Sequence, residues 1–235
     1  MLAVSTRENR THARRPRPAV ATWLLIALSV VVYLIQIGVD KNRFSELILR
    51  FGVTPEIFTG GDRPFGSFPP VLTPLTSMFL HGSLDHLLGN LIYLWIFGRD
   101  IENVLGSLRF VLFWLLCGVC GALGYILGDS QTTLPLIGAT GCVSGMIAAY
   151  VMLKPCDSLS FNLPGRTWHV PSYWIIGSWL LVQLFQYLWW HAEEEFSTLA
   201  QPGGAIGGAL VFWLLCPRGT QLFECHHADA GGTHN

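Results

Sequence analysis

Leu136-Ile137-Gly138-Ala139-Thr140-Gly141-Cys142-Val143-Ser144-Gly145 is the stretch that decides how this chain is read. Its flanks are apolar and free of charge. Gly141 and Gly145 are four residues apart, so both lie on one face of a helix. That is the small-xxx-small pattern by which membrane helices bring their backbones together. Thr140 places one small hydroxyl where the chain turns into that helix.

The whole chain has the same character. Of its 235 residues 51% are apolar and 12% are charged, against about a quarter charged in a soluble domain. The composition is that of a membrane protein or a very unusual soluble one, and the helical spans below make the expected class an all-α membrane protein. Net charge is −1 and the few basic residues are mostly terminal, which argues against nucleic acid as a partner. Cysteines stand at Cys117, Cys120, Cys142, Cys156, Cys216 and Cys225. Most fall in apolar runs, where cysteine packs as a small hydrophobe. Cys117-x-x-Cys120 is read as packing in mid-span rather than as a redox or zinc pair. No cofactor and no metal is expected.

Six segments qualify as transmembrane helices. The first, Pro18 to Val39, is uncharged and about as long as a bilayer core requires. The others are Ser83–Gly98, Phe110–Gly128, Gly138–Leu153, Val170–Trp190 and Ala200–Cys216. Between the first two lies a long loop. Within it, Phe44 to Phe51 has the mix of an amphipathic interfacial helix, and Gly60 to Pro74 is a turn-rich connector. The expected organisation is a basic cytoplasmic tail (1–18), a six-helix membrane domain (19–217) and a flexible cytoplasmic tail (218–235). The arginines of the first tail also fit an organellar transit peptide; a plain cytoplasmic tail is the simpler reading. Cys225-His226-His227 and His234 match no structural zinc spacing.

Charge sets the orientation. With both termini in the cytoplasm, the inner segments hold the tail arginines, Arg99, Arg109, Lys154, Arg166 and Arg218. The third and fifth loops, outside, hold no Lys or Arg, and the fifth carries Glu193, Glu194 and Glu195. Only the long first loop dissents, with Lys41, Arg43, Arg50 and Arg63, and long loops follow the positive-inside rule weakly.

Polar side chains inside spans are costly and are functional candidates by default. His86 and Asn90 are four apart on one helix face, with His81 and Asp85 just ahead of them. They either donate to a developing oxyanion or tie two helices together. Thr140 and Ser144 are also four apart, and a hydroxyl so placed commonly bonds back to a carbonyl one turn earlier. The sixth span opens Ala200-Gln201-Pro202-Gly203-Gly204. Packing of Gly204 and Gly208 on Gly141 and Gly145 would bring Gln201 close to Thr140.

Three of these motifs, in this order, resemble the rhomboid intramembrane serine proteases. His81-x-x-x-x-His86-x-x-x-Asn90, followed by Phe97-Gly98 and Glu102, is similar to their second-span signature. Gly138-Ala139-Thr140-Gly141, with Gly145 and Tyr150, is similar to their Gly-x-Ser-Gly nucleophile motif. Ala200-Gln201-x-Gly203-Gly204-x-x-x-Gly208 is similar to their Ala-His-x-Gly-Gly-x-x-x-Gly. The resemblance covers roughly residues 45–217. It implies a six-transmembrane-helix rhomboid bundle with an outward-facing, water-accessible cavity. It places Thr140 at the nucleophile position, Gln201 at the base position, and His86 and Asn90 at oxyanion positions.

Two of those four depart from the family pattern. A hydroxyl is a weak nucleophile until a base takes its proton, and Gln has no titratable group near neutral pH. Thr keeps the hydroxyl but adds a methyl that stiffens χ1 and crowds the line of attack. A nucleophile and its base act as a unit, so losing both costs little more than losing one. Among substitutes, Ser144 is one turn deeper, Cys142 faces elsewhere, His169 is cytoplasmic, His81 and His86 would have to leave other roles, and His191 is the nearest alternative base. The expectation is a pseudoprotease of the bacterial inner membrane that binds transmembrane segments of client proteins within the lipid bilayer. The alternative is an active intramembrane serine-type endopeptidase with altered machinery. A transporter finds less support, because no inverted hydropathy repeat is visible.

Overall fold

The computed structural model describes residues 3–6, 18–62, 68–163, 166–189 and 200–225. In chain order it contains β1 (Ala3–Thr6), α1 (Val20–Ile37), α2 (Lys41–Phe51), α3 (Pro55–Phe58), α4 (Thr73–Thr76), α5 (Leu84–Leu105), α6 (Ser107–Gly128), α7 (Thr140–Leu153), β2 (Ser158–Leu163), β3 (Arg166–Pro171), α8 (Ser172–Trp189) and α9 (Ala200–Leu215). Short 3-10 turns at Pro70–Leu72 and Ser77–Phe79 flank α4.

Among the described residues two helices, α1 and α6, are long and apolar enough to cross a membrane, while α7, α9 and the Ser172–Val182 part of α8 are shorter apolar stretches. The first is capped from a distance. Its opening N–H groups have no partner within the helix, and the carboxylate of Glu102 on α5 takes them. It accepts from Ala21 N at 2.9 Å, Thr22 N at 2.8 Å and Thr22 Oγ1 at 2.8 Å, and from Ser107 Oγ at 2.6 Å. A negative charge at a helix amino terminus is also favoured by the macrodipole. The polar cluster Arg99-Asp100-Glu102 therefore does not end α5. The helix runs on to Leu105, and Gly106, at φ +80°, turns the chain into α6.

The core is aromatic, with Phe97, Phe110, Phe113, Trp114, Tyr150 and Phe212 fully buried. Around it α6, α7 and α9 pack through glycines. A Cβ added to Gly141 would lie 3.0 Å from the Cα of Gly121, and one on Gly203 would lie 2.7 Å from the carbonyl oxygen of Cys120. Cysteines fill the remaining notches. Cys117 Sγ lies over Gly145, Cys142 Sγ over Gly118, and Cys120 over Gly207.

The all-α expectation needs one correction. β1, β2 and β3 form an antiparallel sheet in that order, pairing Ala3 with Asn162 and Ser160 with His169. The segment between α7 and α8 alternates apolar and polar residues (Leu159-Ser160-Phe161-Asn162-Leu163), which is a strand period rather than a helical one, and it folds as a hairpin. Ala3–Thr6, from the expected basic tail, adds the third strand. The expected flexible tail also begins differently. Phe223 N donates to Met152 O at 2.7 Å, and Cys225 is disulfide-bonded to Cys156. His226, His227 and His234 lie outside the described residues, as do Arg63, Trp190, His191, Glu193, Glu194 and Glu195.

Candidate functional site

The site is organised by a loop held from two sides. Val53 and Leu136 exchange backbone hydrogen bonds at 3.0 and 2.9 Å, and Gly138 N donates to Ser77 O at 2.9 Å. Gly138 has φ +94°, the left-handed region that glycine enters without cost. Space demands glycine here as well. A Cβ at 138 would lie 2.5 Å from both Cε1 and Nε2 of His86 and 3.5 Å from Asn90 Nδ2. The two polar residues of α5 thus face the backbone that leads into Thr140, the first residue of α7.

That arrangement leaves polar atoms unmatched. Among the described residues His86 Nε2, Asn90 Nδ2 and Thr140 Oγ1 are buried without a hydrogen-bond partner, as is His81 Nε2. Buried polar atoms are nearly always paired; Thr54 Oγ1 and Trp114 Nε1 also lack a partner among the described residues, but four such atoms gather at this one loop.

His81 and Gln36 brace the cluster. Gln36 Nε2 donates to His81 O at 3.2 Å, and His81 N donates to Gln36 Oε1 at 3.1 Å. The His81 ring has its Nδ1 3.2 Å from Phe79 O and stands edge-on to His86, with centroids 5.3 Å apart. Burial, with the neighbouring His86 second, pushes the His81 imidazole down to about 4, so it is neutral near pH 7. Sequence reasoning passed over Gln36. The signal was there: an amide near the end of an otherwise apolar helix needs a partner.

Gln201 is the second residue of α9 and is 8% exposed. Gly121 of α6 lies beneath both neighbouring helix ends: a Cβ there would meet Gly141 Cα at 2.8 Å and Ala200 O at 3.0 Å. Gln201 and Thr140, each one residue from those contacts, therefore start their helices at the same end of the α6–α7–α9 group. Pro202, in the first turn of α9, has no N–H to leave unsatisfied there. Ser144 is already engaged, its Oγ donating to Gly141 O at 3.0 Å, and Cys142 is fully buried. His169 lies in β3, on the hairpin between α7 and α8.

A sequence profile of the Rhomboid domain matches residues 71–218, which takes in His81, His86, Asn90, Thr140 and Gln201. The chain belongs to the rhomboid family. It is a rhomboid-family integral membrane protein, mostly helical. Over 136 residues it is 30% identical to the rhomboid protease GluP of Bacillus subtilis, covering 57% of this chain and 25% of that protein. Over 77 residues it is 35% identical to the human mitochondrial presenilin-associated rhomboid-like protein, covering 32% and 20% respectively. Over 152 residues it is 24% identical to the mitochondrial rhomboid protein 1 of Saccharomyces cerevisiae, covering 59% and 40%. The chain thus spans between a fifth and two fifths of the length of these relatives.

Proposed function

We propose that this rhomboid is a pseudoprotease that binds transmembrane segments of client membrane proteins and does not cleave them. The observation that carries the reading is Gln201, buried at the start of α9 beside the end of α7 that bears Thr140. An amide cannot take the proton of an attacking hydroxyl at neutral pH. Thr140 Oγ1 is present but unactivated, and its β-methyl restricts the rotamers an attack would use. What the site retains is recognition chemistry: unpaired polar groups on His86, Asn90 and Thr140 around Gly138.

In this reading α1, α5, α6, α7, α8 and α9 each cross the bilayer, both termini face the cytoplasm, and the membrane is a bacterial inner membrane. The contacts between connections support the two-sided arrangement. On the outer side Gln36 holds His81, and Val53 pairs with Leu136. On the inner side Glu102 holds the start of α1, β1 pairs with β2, and Phe223 bonds Met152. Each of these contacts joins segments of the same side. Clients enter from the lipid as single helices and offer backbone carbonyls to the unpaired donors. A photo-reactive residue at position 201 tests this. It should crosslink to a single-span membrane protein in native membranes, and capture of lipid alone would count against the reading.

A second reading is an active endopeptidase with a different base. The unpartnered His86 and Asn90 favour it, since donors so placed suit an oxyanion. The two readings separate on whether peptide bonds are cut.

A further inference from the structure

We propose that Cys156 and Cys225 form a redox-operated tether that fastens the segment after α9 across the end of α7. The inference rests on the cytoplasmic placement of both termini given above. The disulfide joins positions 69 residues apart, enclosing β2, β3, α8 and α9. Both cysteines are exposed, whereas Cys117 and Cys142 are buried in the core and unbonded. The pair is thus within reach of reagents in the surrounding water.

The noncovalent hold on this segment is slight. After α9 the chain turns at Pro217, whose carbonyl accepts from Thr220 N at 3.2 Å and Thr220 Oγ1 at 2.8 Å. Leu222 packs on the edge of the core. Phe223 N donates to Met152 O at 2.7 Å, in the last turn of α7. Phe223 also holds φ +61°, a left-handed conformation that a bulky side chain resists. Among the described residues, one long-range hydrogen bond and one half-buried leucine stand against the conformational entropy of ordering residues 217–225. The covalent bond is what decides whether the segment stays docked.

The chemistry is simple thiol–disulfide exchange. Two thiols close the bridge by passing two electrons and their two protons to a low-molecular-weight disulfide of the glutathione type, which leaves as two thiols. The reverse reaction opens it. Cytoplasmic thiol buffers keep such pairs reduced, so the bridge there is a response to oxidant rather than a permanent staple. The consequence reaches the site. α7 runs from Thr140 to Leu153, and α9 from Ala200, next to Gln201, to Leu215. The tether binds their far ends together and restrains α9 against α7 when oxidised.

The experiment uses the full chain in cells. Thiols are trapped by acid and counted with a polymer-linked maleimide, before and minutes after a thiol oxidant. The expected result is two thiols lost on oxidation, with no loss in Cys156→Ser or Cys225→Ser. With purified protein, trypsin should cut after the exposed Arg218 at least tenfold faster in the reduced than in the oxidised form, and Cys225→Ser should be cut fast in both. A pair that is bridged, or open, under both conditions overturns the tether, as does equal cleavage at Arg218. A Cys156→Ser variant treated in intact cells with a membrane-impermeant maleimide separates the causes. Labelling of Cys225 from outside means the orientation is wrong and the tether falls with it. No labelling, with an unresponsive pair, leaves the orientation standing and overturns the tether alone.

Discussion

Gly204 of α9 rests on the backbone of Gly141 of α7: a Cβ on Gly204 would lie 2.7 Å from the Cα of Gly141 and 2.5 Å from Ser144 Oγ. One turn on, a Cβ on Gly208 would lie 2.8 Å from Gly145 O. In a bilayer no hydrophobic force separates helix from lipid, so close backbone packing holds such pairs. The Gly141 atoms that Gly204 meets are main chain and cannot swing aside. Gly204→Ala should therefore destabilise the protein by about 1–3 kcal/mol, the usual cost of overpacking, despite alanine's better helix propensity. Gly89, in α5, has nothing within 4 Å of its Cβ position. Gly89→Ala should be neutral or stabilising by up to about 1 kcal/mol. Thermal unfolding in detergent separates the two; equal effects would contradict the packing argument.

Glu102 predicts a second outcome. Its two oxygens serve four donors, among them two main-chain N–H groups of α1. Glu102→Gln keeps the shape but turns one acceptor into a donor facing donors. The loss should be at least about 2 kcal/mol, since bonds to a charged acceptor are the strong ones. Ser107→Ala, which removes one exposed donor, should cost much less. Midpoints of denaturation for both variants check the ranking.

His81 gives the fold a pH dependence. Its folded value lies at about 4, below the ordinary 6.5, because it is buried and stands beside His86. Above pH 6.5 it is neutral in both states and contributes no slope. As pH falls from about 6.5 to about 4 the unfolded chain takes up a proton that the folded chain refuses. Stability is lost through that window, by up to roughly 3 kcal/mol. The melting temperature of the natural protein should fall more steeply between pH 7 and pH 5 than that of His81→Asn. Parallel curves would show that His81 does not carry the effect.

Much of this was legible in the sequence, for physical reasons that differ by element. The glycines at 141, 145, 204 and 208 announce their packing because no other residue permits the approach. His86 and Asn90 stand out because polar groups in a span are expensive. The extension of α5 past Gly98 was not visible, because a polar cluster reads as a helix end until a distant α1 supplies partners for Glu102. The β2–β3 hairpin is harder to read: Leu159, Phe161 and Leu163 alternate as a strand does, but the run is short and lies between apolar helices. The pairing of Cys156 with Cys225 could not be read from spacing at all.

The measurement that bears most directly on the account is cleavage of a single-span substrate in liposomes, by the natural protein and by the Thr140→Ser plus Gln201→His double variant. A non-cutting natural protein and a double variant that cuts at one site are the predicted result. Site-specific cleavage by the natural protein, abolished by Thr140→Ala, would contradict it and send the search for a base elsewhere, beginning with His191.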